Sequence, residues 1–194
     1  MNIDGSNPTR LTKEGHSSPP KCTPGNEVVY ASDAQKHSAI WKLSLDGGSP
    51  QQLIDYLATA GSVSPADGRI AITFLDRSAT PPRLRTGLVS PDGGLPKEKF
   101  DFPVLFGTLG GGFYGQVINW TADGKALTYI DTKEGVSNLW AQPVNGGPRR
   151  QLTNFKSDLI FNYAWSRDGK KLALARGSKT SDVVLIKNKS GNSP

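Results

Sequence analysis

Cysteine, methionine and histidine are nearly missing from this sequence, with one Cys, one Met and two His in 194 residues. A single cysteine, Cys22, excludes an internal disulfide and gives no metal-ligand spacing. A zinc site from His16, Cys22 and His37 would have irregular spacing and no fourth ligand, so no metal is expected. Helical periodicity is also scarce. Only residues 51–60 could form a turn or two, and the repeat described below argues for strand there. No apolar run approaches the ~20 residues a membrane-spanning helix needs. The start, Met1-Asn2-Ile3-Asp4-Gly5, has no basic segment leading into an apolar stretch, so no secretory signal is read in it.

What is abundant is turn chemistry. There are 22 Gly and 14 Pro, recurring at intervals, as short strands joined by tight turns require. Hydrophobic content of 36% and charged content of 21% suit a folded globular chain, with a length that buries roughly 70% of the unfolded surface. The net charge of +6 comes from dispersed pairs: Arg83/Arg85, Lys97/Lys99, Arg149-Arg150, Lys170-Lys171 and Lys187/Lys189. No basic helix or arm collects them, so they read as a solvated, turn-rich surface. Nucleic acid is not an expected partner.

Two motifs interleave. The first, Ser/Thr-x-Asp-Gly-basic followed by an apolar strand, occurs as Thr121-Ala122-Asp123-Gly124-Lys125 and Ser166-Arg167-Asp168-Gly169-Lys170. A copy longer by one residue is Ser64-Pro65-Ala66-Asp67-Gly68-Arg69, and a degenerate copy is Thr23-Pro24-Gly25-Asn26. The second motif is an apolar strand running into Asp/Asn-Gly-Gly, at Asp46-Gly47-Gly48, Asp92-Gly93-Gly94 and Asn145-Gly146-Gly147. Asp-Gly and Asn-Gly between apolar strands are strong hairpin signals, because such turns need positive φ. The motif glycines fall at 25, 68, 124 and 169, and at 47, 93 and 146, so the period is 43 to 56 residues. That is the length of a four-stranded antiparallel unit. The expected fold is therefore all-β: a β-propeller of about four blades of four-stranded antiparallel sheet.

The expected blades are 13–56, 57–104, 105–155 and 156–188, with 1–12 as an orphan outer strand and 189–194 as a disordered tail. The last blade shows three strands, near 160–166, 170–176 and 181–187. The 9–12 strand is expected to pair with the last of these and complete it, and an open arc or an edge-sharing dimer are the alternatives. The glycine-rich run 106–115 reads as an inter-blade connection without a phosphate-binding pattern. Trp41, Trp120, Trp140 and Trp165 are expected to fill the spaces between blades.

Ser166-Arg167-Asp168-Gly169-Lys170-Lys171-Leu172-Ala173-Leu174 and its copies resemble the WD-like repeats of TolB-like propellers. So does Leu139-Trp140-Ala141-Gln142-Pro143-Val144-Asn145-Gly146-Gly147 followed by Arg150-Gln151-Leu152-Thr153. The last third resembles the C-terminal end of propellers in bacterial signalling proteins, attached there to a kinase or winged-helix domain. The resemblance implies a ring of six or more blades, of which this chain would form part, and a non-catalytic binding or scaffold module for a protein or peptide partner. It also implies two alternatives: a periplasmic TolB-type partner-binding protein, or the accessory propeller of a serine peptidase. The opening, 1–12, matches the second motif entered halfway, so the chain is expected to be a piece of a longer protein.

Residues for chemistry are not found. No Gly-x-Ser-x-Gly pentapeptide occurs, and Gly61-Ser62-Val63-Ser64-Pro65 lacks its spacing. His16 and His37 sit in polar surroundings and read as solvated loop residues. Asp46, Asp67, Asp92, Asp123 and Asp168 recur with the repeat and serve its turns. Catalytic, cofactor-binding and metal residues are set at none. Tyr114, Arg85 and His37 are named only as loop residues of the kind that bind ligands on repeat scaffolds.

Overall fold

The structure, a computed structural model, describes residues 4–12, 20–33, 37–103, 117–180 and 184. Strand carries all the regular structure among them. The first sheet comprises β1 (Lys21–Cys22), β2 (Glu27–Ser32), β3 (Ala39–Ser44) and β4 (Gln51–Ile54). The second comprises β5 (Ala58–Val63), β6 (Ile70–Asp76), β7 (Arg83–Ser90) and β8 (Gly93–Phe100). The third comprises β9 (Asn119–Trp120), β10 (Ala126–Lys133), β11 (Val136–Pro143) and β12 (Arg150–Gln151). Only β13 (Leu159–Trp165) and β14 (Leu172–Gly177) of the fourth fall within the described residues. Every ladder is antiparallel and joins neighbours in sequence, so each sheet is a meander. Residues 51–60, the one stretch open to a helical reading, lie in β4, its connection and β5.

The sheets stack face to face in chain order. Alternating side chains point to opposite faces of a strand, and both faces are buried, so the strands read as nearly continuous apolar runs. In β6, Ile70, Ile72 and Phe74 face the first sheet, where Val29, Ile40, Leu53 and Ile54 meet them. Ala71, on the opposite face, joins Leu88, Phe102, Ile118, Trp120, Leu127 and Tyr129 between the second and third sheets. Ile130 and Leu139 meet Ile160 and Tyr163 between the third and fourth. Burying each such aliphatic side chain contributes about 1.5–3 kcal/mol. On the outward face of the first sheet, Val28, Tyr30 and Leu43 are buried beside Leu11 and Trp41. Residues 9–12 form no strand; Leu11 packs on this face, and residues 181–183 and 185–187, their expected partner, lie outside the described residues. So do the whole glycine-rich run, the tail, His16 and Tyr114.

The tryptophans occupy the seams to different degrees. Trp120 is buried between the second and third sheets, and its indole N–H donates to Ser62 O at 3.3 Å. Trp165 donates across the next seam to Thr128 Oγ1 at 3.3 Å. Trp140 is half-buried beneath the Arg149 guanidinium, 4.7 Å from its ring centre. Trp41 is half-buried on the outward face of the first sheet.

The first motif forms the turn between the first and second strand of each sheet. The Ser64, Thr121 and Ser166 N–H groups donate to Arg69, Ala126 and Lys171 carbonyls at 2.8, 2.9 and 2.9 Å, the same span in all three. The extra residue of the second copy is absorbed inside that span, with its glycine moved one place along. The degenerate copy closes one residue sooner, Thr23 N–H to Glu27 O at 3.0 Å. Asp123 and Asp168 accept from backbone N–H two residues on, at 3.1 and 3.0 Å. The Thr121 and Ser166 hydroxyls, each 2.6 Å away, are the main cause of their lowered pKa. These carboxylates are turn-builders, as the repeat implied.

Successive turns also touch. A Cβ on Gly124 would lie 2.5 Å from the Ala66 Cβ, and one on Gly169 would lie 2.9 Å from the Ala122 Cβ. Each of these glycines has positive φ (67° and 68°) and receives the alanine before the Asp of the preceding turn. Gly68 has no such neighbour from the shortened first turn. There a groove of about 320 Å³ opens between the first two sheets, lined by Thr23, Glu27, Lys42, Asp67 and Pro91 among others.

Candidate functional site

At the other end of the sheets lie the connections from second to third strand and from one sheet to the next. Here the seam between the first two sheets gathers charge. Asp76 closes the apolar run of β6, facing the first sheet like Phe74 two residues before it. Its cross-strand partner is Arg83, and that of Phe74 is Arg85, so Arg85 projects on the same face. Lys99, on β8, pairs with Gly87 of β7 and reaches back across it.

The Asp76 carboxylate is only 4% exposed and fully engaged. It accepts from the Ser78 hydroxyl at 2.6 Å, the Ser78 N–H at 3.1 Å, Lys99 Nζ at 3.1 Å and Arg85 Nη1 at 3.3 Å. The Ser78 hydroxyl bond lowers its pKa most, burial opposes it, and Lys99 and Arg85 reinforce it, so the carboxyl stays well below the usual carboxylate range. Asp101, just beyond β8, is different. It is 55% exposed and meets Arg83 Nη2 at 3.4 Å and Arg85 Nη2 at 3.1 Å. Arg85 Nε lies 2.9 Å from Asp101 Oδ1 but off the N–H axis, leaving this buried donor without a hydrogen-bond partner among the described residues. An ion pair this exposed contributes about 0–1 kcal/mol.

The seam continues toward the first sheet. Lys99 Nζ lies 5.7 Å from the centre of the Phe74 ring, and Tyr56 meets that ring edge-on at 5.9 Å. The buried Tyr56 hydroxyl has no partner among the described residues, and desolvation pushes its pKa up to about 12. Beside Tyr56, Asp55 lies 3.3 Å from His37 Nε2, which is also buried and without an aligned hydrogen bond among the described residues. Buried polar atoms are almost always paired. His37, Tyr56 and Arg85 thus place three orphaned ones along one seam.

Of the three residues expected in loops, Arg85 lies instead within β7, paired with Phe74, and His37 lies in the connection after β2; both belong to this seam, and Tyr114 lies outside the described residues. Asp76, Lys99, Asp101, Arg83 and Tyr56 were not singled out as site residues. The signal for the cations was their spacing: Arg83/Arg85 and Lys97/Lys99 each place alternate residues on one strand face. Among the described residues no group of three His, Cys, Asp or Glu is placed to hold a metal. A second groove, of about 450 Å³, lies at the turn end between the third and fourth sheets, with Trp165, Arg150, Asn145, Asp123 and Asp168 on its walls.

Four-stranded antiparallel meanders repeated along the chain, each packed face to face on the next, define a partial β-propeller. Solved structures share this arrangement. A candidate TolB from Agrobacterium tumefaciens superposes with a TM-score of 0.58 and 21% identity, covering 82% of this chain and 53% of that one. TolB from Acinetobacter baumannii gives a TM-score of 0.62 and 20% identity, covering 93% and 43%. A prolyl endopeptidase, from a study of two such enzymes and their inter-domain dynamics, gives 0.54 and 16%, covering 84% and 26%. Among curated proteins, the uncharacterized Atu1656 of Agrobacterium fabrum is 30% identical over 138 residues, 67% of this chain and 45% of that protein. The chain thus spans about half the length of these TolB structures and of this relative. No protein-family model matches it.

Proposed function

We propose that the chain is a non-catalytic binding module, the partner-recognising part of a longer propeller protein, and that a protein or peptide docks on its loop face. The observation that carries this reading is the seam at Asp76. A fully engaged, buried carboxylate anchors Arg85 and Lys99, while buried donors on Arg85, Tyr56 and His37 lack partners among the described residues. Ligands of repeat scaffolds are usually met by the connections between strands, and this is such a face. Residues 1–188 would form four successive blades, and the module would serve as sensor or scaffold in a bacterial signalling protein. A TolB-type partner-binding protein is the second reading, favoured by the two TolB structures among the neighbours.

A random peptide library displayed on phage and selected on the full chain tests the module reading. Enriched peptides should lose binding in the double variant Arg83→Glu/Lys99→Glu and keep it in Lys170→Glu/Lys171→Glu, at the turn end. Absence of enrichment, or binding indifferent to the loop-face variant, would overturn it. For the signalling context, the genomic reading frame upstream of Met1 should encode further blades preceded by a kinase or winged-helix domain.

A further inference from the structure

We infer that the Arg83–Arg85 pair is a recognition site for a carboxylate of an acidic peptide segment, and that Asp101 occupies it in the free chain as an internal stand-in. The inference rests on the loop-face reading above and names its ligand.

Two carboxylates contact Arg85, and they differ in kind. Asp76 is buried and bound by groups from β7 and β8 and by Ser78, so it belongs to the framework. Asp101 is more than half exposed and lies past Phe100, the last residue of β8, so its carboxylate can swing away without breaking a ladder pair. Its fit is also incomplete. Arg85 Nη2 makes an aligned bond at 3.1 Å, but the buried Nε–H beside it does not, although Oδ1 is only 2.9 Å away. A carboxylate free of the chain can approach a guanidinium side-on and take both parallel N–H bonds, the strongest geometry this pair of groups has. Arg83, 56% exposed, stands ready on the outer side.

Charge agrees with this choice of ligand. With Asp101 displaced, Arg83, Arg85 and Lys99 stand against the single carboxylate of Asp76, and the local surplus is two positive charges. Beyond Lys99, the Phe74 ring and the unpartnered Tyr56 hydroxyl extend the seam toward the first sheet. The ligand therefore meets three cations spread over two strands, Arg83, Arg85 and Lys99, with the half-buried side chain of Tyr56 beyond them. That spread suits an extended acidic peptide rather than an isolated small anion.

The test is fluorescence anisotropy with a labelled hexaglutamate peptide on the full 194-residue chain. Removing the internal competitor in Asp101→Asn should tighten binding by about tenfold, one such charge-assisted contact being worth that much. Asp92→Asn changes net charge equally at the opposite end of the sheet and should leave affinity within about twofold, since exposed charges this remote are screened. Arg83→Ala, an exposed substitution, should weaken the peptide in both the wild-type and the Asp101→Asn background. Equal affinity for wild type and Asp101→Asn would overturn the inference, as would an equal gain in Asp92→Asn or binding indifferent to Arg83→Ala. A phosphoserine peptide of equal charge that binds tighter than hexaglutamate would overturn the carboxylate assignment. Failure of hexaglutamate alongside library peptides that still depend on Arg83 and Lys99 would sink this inference and leave the module reading standing.

Discussion

At one end of the sheets the turns at 64–69, 121–126 and 166–171 close over one common span. Their carboxylates bond their own backbone, and alanine of one turn sits on glycine of the next. At the other end the connections after β2 and β6 run six residues, against two after β10, and the side chains that matter there bond across strands. The turn end repeats because each copy solves the same backbone problem. The loop end does not repeat: among the described residues the seam at Asp76 gathers three cations and two carboxylates, against single pairs at Asp131–Arg149 and Asp158–Arg176. The contrast teaches that the repeat motif of this chain specifies stacking, while recognition, where it exists, lies where the motif is silent.

The largest effect should come from the turn end. Gly124→Val combines a positive φ with a Cβ 2.5 Å from Ala66, and should cost about 3–5 kcal/mol in urea denaturation. Gly146→Val, also at positive φ but with nothing within 4 Å, should cost only about 1–2 kcal/mol. Equal losses would mean that conformation alone governs these turns, and that the contact between sheets is incidental.

Next is the seam between the third and fourth sheets. The buried Tyr163 hydroxyl bonds the Val117 carbonyl at 3.2 Å and both the hydroxyl and the carbonyl of Thr128. Tyr163→Phe should cost about 1–3 kcal/mol by leaving those buried groups short of a partner. Desolvation pushes this phenol up to about 12 from an ordinary 10.0. A raised folded pKa stabilises fully below the unfolded value, so the stability it supports is lost as pH rises from 10 toward 12. The Phe variant should lose this share of the alkaline limb and keep the share that Tyr56 and Tyr30 carry.

The loop end answers to acid instead. Asp76 titrates below its ordinary 3.8, so the stability it confers is present above that value and drains away as pH falls through and below it. Asp76→Asn should flatten thermal stability between about pH 5 and 3, an acid limb shared with other depressed carboxylates, the turn residues Asp67, Asp123 and Asp168 among them. A variant that keeps the full acid dependence would assign it to the turns alone. The smallest effect belongs to Arg83→Ala, whose exposed ion pair should shift stability by less than about 0.5 kcal/mol. A larger loss would make the rim of the seam part of the framework.

The turn end was legible from sequence, because Asp-Gly and Asn-Gly act through their own backbone and need no knowledge of neighbours. Asp123 and Asp168 could be assigned to turns from three adjacent residues. The seam was legible only in fragments. Asp76, Arg85, Lys99 and Asp101 come from three strands and a connection, and only the β6–β7 and β7–β8 registers bring them together. Arg83/Arg85 and Lys97/Lys99 read as dispersed charge because a strand conceals which of its neighbours carries the counter-ion. Likewise, the first turn was recognisable as degenerate, but the groove it leaves depends on the second sheet standing beside it.

The alanine-on-glycine contact between successive turns bears on how such a chain can change over generations. Each repeat must offer a small residue to its successor and a glycine to its predecessor, so the two demands travel together when a repeat is copied. Sheet three satisfies both, with Ala122 and Gly124, and could be duplicated in tandem without a clash at this point. The first sheet, with its shortened turn, presents neither partner in the right place. Arg167 occupies in the fourth sheet the position that Ala66 and Ala122 hold in their own turns. The middle sheets are thus open to expansion by copying, whereas the first and fourth lack one or both sides of the contact.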